Sequence, residues 1–292
     1  MNEHIQGIVS QRLEPAPRVL YVVGTPIGHL GDLSPRAQRL LTNISTIACE
    51  DTRHSGKLLS KIGTKAKKLS FHKYNAKKRI PLILKLLKSD ETVALISDAG
   101  LPGISDPGEE LVKAVLEDGY GVICIPGPCA ATTALVSSGM PSNHFCFEGF
   151  LPAKGKARKA RLQIAAREQR TTLIYESPHR LLQLLEELEE LCGDSRQLTI
   201  ARELTKKHEE HIGPTIKDAL KHFRQVDPIG EFTIVLSGAK EAPKTKVSRE
   251  QLLNELQELL AKGLSPKTAA KELSQKSGES KRMLYALIHK TE

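Results

Sequence analysis

Short, β-branched apolar runs alternate with amphipathic ones between residues 18 and 138 of this 292-residue chain. "RVLYVVG", "STIACE", "KKLSF", "TVALISD" and "GVICIPG" are too short for helices and read as strands. Between them, "SPRAQRLLTN", the stretch from about Thr52, "RIPLILKLLKS" and "DPGEELVKAVLEDG" repeat their apolar residues at helical intervals. Ser34 before Pro35 is a helix start signal, and "PCAATTALVSSG" reads as a helix of small residues. Such strand–helix alternation predicts a mostly parallel sheet with helices on its faces.

The pattern changes flavour after "GMPSN". "HFCFEGF", "TTLIYES", "RQLTIARE" and "GEFTIVLSG" read as strands, "EEHIGPT" as extended chain, and "SPHRLLQLLEELEELCG" and "IKDALKHFRQ" as helices. "AKEAPKTKVSRE" reads as a linker, followed by three helical segments separated by "GLSP" and "SGES". The expected organisation is a mobile lead over 1–17, an α/β domain over 18–127, a second over 128–239, and a linker with a helical extension over 240–292.

No run reaches the length of a membrane span, and "MNEHIQGIVSQRLEPAP" lacks the basic start and apolar core of a targeting peptide. Five cysteines without a Cys-x-x-Cys pair argue for a reducing cytoplasm and against a zinc ribbon. The net charge of +9 is concentrated. Residues 61–79 hold eight Lys and Arg and no acid, with Phe71 and Tyr74 interleaved, and residues 154–170 hold seven against Glu168. Two such patches point to a polyanionic partner, with Lys73, Tyr74, Lys77, Lys78, Arg79, Lys154, Lys156, Arg158 and Lys159 as candidate contacts and Arg53, outside them, as a further phosphate-holding candidate. Solvated lysine-rich faces are the plainer reading of either patch alone.

Three glycine–proline loops follow predicted strands: "GTPIGHLGD", "SDAGLPGISDPG" and "PGPCAA". Open α/β sheets bind ligands at the carboxyl ends of their strands. A phosphate is a poor match, because Glu109 stands where a P-loop needs lysine and Asp98 and Asp106 add negative charge. A phosphate-free nucleoside with a positive centre, such as S-adenosylmethionine, fits better. "HEEH" at 208–211 lacks the spacing of a zinc-protease pair, so no metal site is expected, and no Gly-x-Ser-x-Gly elbow is present.

"LYVVGTPIGHLGDLSPRA", "EDTRHSGKLL", "SDAGLPGISDPG", "IPGPCAATTAL", "FCFEGFLPAKGKAR", "YESPHRLL" and "ARELTKKHEE" together resemble the bacterial 16S rRNA (cytidine 2′-O)-methyltransferases of the tetrapyrrole methylase superfamily. The resemblance implies an α/β, two-domain tetrapyrrole methylase-like fold, a cofactor cleft between the domains, and a small C-terminal helical extension that binds RNA. It also implies a homodimer that uses S-adenosylmethionine to methylate a cytidine ribose in the decoding region of 16S rRNA, within the small ribosomal subunit. Cofactor-binding positions implied by similarity are Pro26, Asp98, Ala99, Gly100, Pro102, Gly103, Ile104, Ser105, Pro126, Gly127, Pro128, Cys129, Ala130 and Ala131. Two rivals are a tetrapyrrole C-methyltransferase of the same superfamily and a non-enzymatic nucleic-acid-binding protein.

The chain departs from the family pattern at His29, where asparagine is usual, and over residues 72–76, where a His-x-His-Asn-Glu run is replaced by "HKYNA". Abstraction of a proton from a ribose hydroxyl calls for a base in reach. His29, Asp32, Asp51, Glu176 and Glu203 are the candidates, with Arg53 and Arg202 to hold phosphate or orient a carboxylate. Glu176 is favoured, since it ends a strand and is followed at once by a helix cap. Its plainer alternative is an ion pair with Arg202.

Overall fold

The first five apolar runs pair side by side as the parallel strands β1 (Val19–Val23), β2 (Thr46–Cys49), β3 (Lys67–Ser70), β4 (Val93–Ile96) and β5 (Gly121–Ile125). Their order is β3-β2-β4-β1-β5 in the computed structural model, which describes residues 14–240, 249–277 and 279–289. Tyr21, Val23 and Ile47 face one way, under α1 (Pro35–Asn43) and α2 (His54–Lys61). Leu20, Val22 and Leu95 face the other, under α3 (Ala76–Lys88) and α4 (Glu109–Glu117). Because helices cover both faces, the inner strands β1, β2 and β4 are buried throughout, whereas the edge strands β3 and β5 are partly exposed.

The chain then passes through α5 (Ala130–Ser138) into a second sheet. Its elements are β6 (Phe145–Phe150), α6 (Gly155–Arg167), β7 (Thr171–Glu176), α7 (Pro178–Cys192), β8 (Leu198–Arg202), β9 (Glu210–Ile212), α8 (Ile216–Phe223) and β10 (Phe232–Leu236). The order is β6-β7-β10-β8-β9, and only β6 and β7 run parallel. One face packs on α6, α7 and α8 through Leu162, Leu184, Leu188 and Leu220. The other packs on α5 and on Ile27, which follows β1, so a single apolar cluster spans both sheets. Residues up to Ala239 accordingly form one compact unit. The expected division near residue 127 is a change of sheet inside that unit.

One expectation needs correction, and one element goes unforeseen in the sequence. Residues 14–17 belong to the folded body rather than to a mobile lead: Ala16 is buried and donates its N–H to the Tyr21 hydroxyl at 2.9 Å, while Glu14 pairs with Arg36. The charged stretch from residue 154 is helix α6, whose dense cations mask the inward positions Arg158, Leu162, Ala165 and Ala166. Residues 1–13 of the lead and 241–248 of the linker lie outside the described residues. The second unit, from Lys240, contains the three expected helices, α9 (Arg249–Ala261), α10 (Pro266–Ser277) and α11 (Lys281–His289). They close on a small core of Leu252, Leu256, Ala270, Leu273, Leu284 and Leu287. No helix among the described residues is long and apolar enough to cross a membrane.

Candidate functional site

The three glycine–proline loops meet at the carboxyl ends of β1, β4 and β5. Thr25 and Gly100 exchange two backbone hydrogen bonds, at 2.9 and 3.1 Å, tying the loop after β1 to the loop after β4. Gly24 and Gly127 touch backbone to backbone: a Cβ built on Gly24 would stand 2.7 Å from the Gly127 Cα. Side chains at either position would force the loops apart. The small residues are thus required by a three-way junction as much as by any ligand.

Beside this junction lies a cavity of about 380 Å³ between the two sheets. The first sheet contributes Ile27, Asp98–Leu101, Ile104–Asp106, Cys129 and Ala130; the second contributes Phe150, Tyr175–Pro178, Ala201, Leu204 and Gly230–Thr233. Seven of the expected cofactor positions line it: Asp98, Ala99, Gly100, Ile104, Ser105, Cys129 and Ala130. Pro26, Pro102, Gly103, Pro126, Gly127, Pro128 and Ala131 are outside that wall and support it from behind. Ala131, for example, donates its N–H to the Tyr175 hydroxyl at 2.9 Å. Phe150, Tyr175–Pro178, Ala201 and Leu204 of the second-sheet wall fall within the quoted motifs, but sequence reasoning does not assign them to the cofactor, and 230–233 sit at a strand start that carries no motif.

No lysine, arginine or histidine lines the cavity. Asp98 accepts from the Asp51 N–H at 3.2 Å and the Ser55 hydroxyl at 3.1 Å, and neither Asp98 nor Asp106 forms an ion pair among the described residues. Burial, reinforced by Glu50 and Asp98, pushes the Asp106 carboxyl up to about 6. Ser105 preceding it adopts a left-handed φ of 61°. That conformation is unfavourable for serine and is tolerated where a side chain must be aimed. Burial likewise raises Tyr175 above the ordinary phenol range. The arrangement repels phosphate and favours a cation.

The expected catalytic residues fare differently. The Glu176 side chain is fully buried; Arg180 reaches one oxygen at 2.5 Å and Arg158 the other at 3.5 Å, and Ser177 N–H donates to it at 2.9 Å. A carboxylate so enclosed is a structural anchor, which corrects its reading as the base. Arg202 does not pair with it; it bonds Glu210 and the Ile229 carbonyl. His29 caps a short 3₁₀ turn, Leu30–Asp32, by accepting from Gly31 N–H at 3.0 Å. Both His29 and Asp32 are exposed on that turn and outside the cavity wall. Asp51 is held near 2 by its hydrogen bonds to Arg53 and is too weak a base. Glu203 accepts from Lys206 at 2.9 Å and from Glu231 N–H at 3.0 Å.

Among the expected RNA contacts, Arg158 must be withdrawn. Only 2% exposed, it bridges Glu176 and Glu187, and those two carboxylates outweigh burial in keeping its pKa above the ordinary arginine value. Lys154, Lys156 and Lys159 on and before the same helix are exposed. So are Lys73, Lys77 and Lys78, with Tyr74 at 94%, whereas Arg79 is half-buried. Arg53 is exposed and lines a shallow cleft with Lys57, Lys68, Thr52 and Ser60.

A family model described as Tetrapyrrole (Corrin/Porphyrin) Methylases matches residues 19–220. The chain belongs to the tetrapyrrole methylase family. Within it, a relative from Synechocystis sp. named "Ribosomal RNA small subunit methyltransferase I" is 45% identical over 92% of this chain and 96% of its own length. One of the same name from Thermotoga maritima is 47% identical over 75% of this chain and 98% of its own length. Among solved tetrapyrrole methylases, uroporphyrin-III C-methyltransferase from Thermus thermophilus in complex with S-adenosylhomocysteine superposes with a TM-score of 0.53. It is 20% identical, over 75% of this chain and 97% of that one, and shares the fold.

Proposed function

We propose that this protein transfers a methyl group from S-adenosylmethionine to the ribose 2′-hydroxyl of a cytidine in the decoding region of 16S rRNA, acting on the small ribosomal subunit as a cytoplasmic homodimer. The observation that carries this reading is the cavity wall: among the described residues it holds two carboxylates without a cationic partner and no basic side chain, with exposed cations concentrated outside it. The names of the relatives at 45% and 47% identity favour rRNA over a tetrapyrrole as acceptor. An exposed apolar strand edge at β5, with Cys124 exposed and Val136 of α5 at 78%, supports self-association.

The residues present fit the donor. Ile27, Gly100, Ala130 and Leu204 offer a small, apolar wall for a nucleoside, and Asp98 offers negative charge for its cationic end. Bound there, S-adenosylmethionine supplies an already activated methyl group. What remains for the protein is alignment and the removal of one proton. Ile27, Gly100, Ala130 and Leu204 would hold the donor so that a ribose hydroxyl entering the cavity could approach its methyl group. Asp106 accepts the hydroxyl proton, being ionised at neutral pH yet basic enough to take it.

Incubating the protein with purified small subunits and labelled donor, then mapping ribose methylation, tests the reading. One modified cytidine in the decoding region is expected; label on a porphyrin precursor and none on rRNA would overturn it. Asp98→Asn is expected to weaken donor affinity at least tenfold by calorimetry.

A further inference from the structure

We propose that Phe150 is the platform on which the target nucleobase stacks beside the methyl donor. The proposal rests on the rRNA reading above and assigns the pyrimidine-binding part of the same cavity.

Four observations converge on this ring. Phe150 lines the cavity yet is 54% exposed, an unusual placement for the last residue of a strand whose neighbour Leu151 is buried. A β-bulge puts it there. Phe147 lies opposite Leu173, but the register slips so that Gly149 faces Ile174 and Phe150 faces Tyr175. Without the extra residue, Phe150 would fall on the opposite, helix-covered face of the sheet; with it, Phe147 and Phe150 share the Tyr175 face. Their ring centroids are 5.1 and 5.5 Å from that of Tyr175, so Phe150 has one side backed and the rest open.

The segment is also clamped. The Arg180 guanidinium donates to the Leu151 carbonyl at 3.3 Å and Arg158 to the Pro152 carbonyl at 3.1 Å, and both guanidiniums rest on the buried Glu176 carboxylate. This assigns the network a positioning role: it fixes the backbone just after Phe150 and so preorganises the ring. Finally, the chain runs directly from the ring into the exposed cations Lys154, Lys156 and Lys159. An aromatic face followed by phosphate-seeking charge suits an unstacked nucleotide, whose base must leave its neighbours before its ribose can enter the cavity.

The test compares wild type with Phe150→Ala, Phe150→Leu and Phe150→Trp in donor binding by calorimetry and in methylation of purified small subunits. Stacking of one base predicts that the Ala and Leu variants raise KM for the subunit or slow single turnover by roughly 5- to 100-fold. Donor affinity stays within about twofold in every variant, and Trp retains activity. Leu keeps apolar volume without a π-face, so its loss separates stacking from mere packing. Unchanged methylation by Phe150→Leu overturns the proposal. So does a parallel loss of donor affinity, which would place the ring against the donor. Failure of the wild type itself to methylate small subunits, despite binding donor, strikes the rRNA reading and this proposal with it.

Discussion

Burial and the nearby Glu50 and Asp98 carboxylates give Asp106 a folded-state pKa of about 6, against 3.8 for the free group. Between those values the folded chain binds a proton that the unfolded chain has released, so this residue's contribution to stability falls as pH rises and stays unfavourable above about 6. Asp106→Asn is therefore expected to melt higher than wild type at pH 7 and with little difference near pH 4, in thermal denaturation followed by circular dichroism. The same variant is expected to lose the rise in single-turnover rate with an apparent pKa near 6. A rate–pH profile unchanged by the substitution removes Asp106 as proton acceptor. Glu176 presents the opposite case. Its carboxylate is fully buried between Arg158 and Arg180, and Glu176→Gln takes the acidic partner from Arg180 and one of two from Arg158, which keeps Glu187. A loss of roughly 3–5 kcal/mol in denaturant unfolding is expected. Its position at a strand end suggests a base; only the arrival of two arginines from α6 and α7 shows why it is needed.

The elements themselves are legible where backbone covered on both faces dictates a plain pattern. All five strands of the first sheet and the helices after them lie where apolar periodicity places them. Helix α6 escapes such a reading because a buried arginine occupies one of its inward positions and looks, in sequence, like its exposed neighbours. The bulge in β6 escapes for a related reason: a period-2 reading assigns faces by counting, and one extra residue reverses the count. The loop glycines read as ligand cradles, but their strictest constraint is the touching of loop against loop. A Cβ built on Gly127 would stand 2.7 Å from the Gly24 Cα. Gly127→Ala is expected to cost about 1–3 kcal/mol in denaturant unfolding and to weaken donor binding as well, since the displaced loops carry Gly100 and Cys129. Full stability with intact donor binding would show that the junction relaxes freely.

Across the whole molecule, charge is segregated. The cavity wall is acidic, while exposed lysines gather before α3 and along α6. One region suits a sulfonium, the other a polyanion, and mixing them would weaken both. Replacing Lys154, Lys156 and Lys159 together by Gln is expected to flatten the salt dependence of subunit binding, by roughly 0.7–0.9 in log–log slope for each phosphate no longer neutralised, while donor affinity holds. An unchanged slope would make these lysines a solvated helix face.

Sequence alone determined the class of fold, the three loops that meet at the strand ends and the sign of charge in each region, because periodicity, glycine–proline spacing and net charge are local properties. Tertiary structure decided which charges are free. Whether Glu176, Arg158, Asp98 or Asp106 is buried, paired or facing the cavity depends on groups brought from distant parts of the chain, and a carboxylate's chemistry is set by those neighbours rather than by its own place in the sequence.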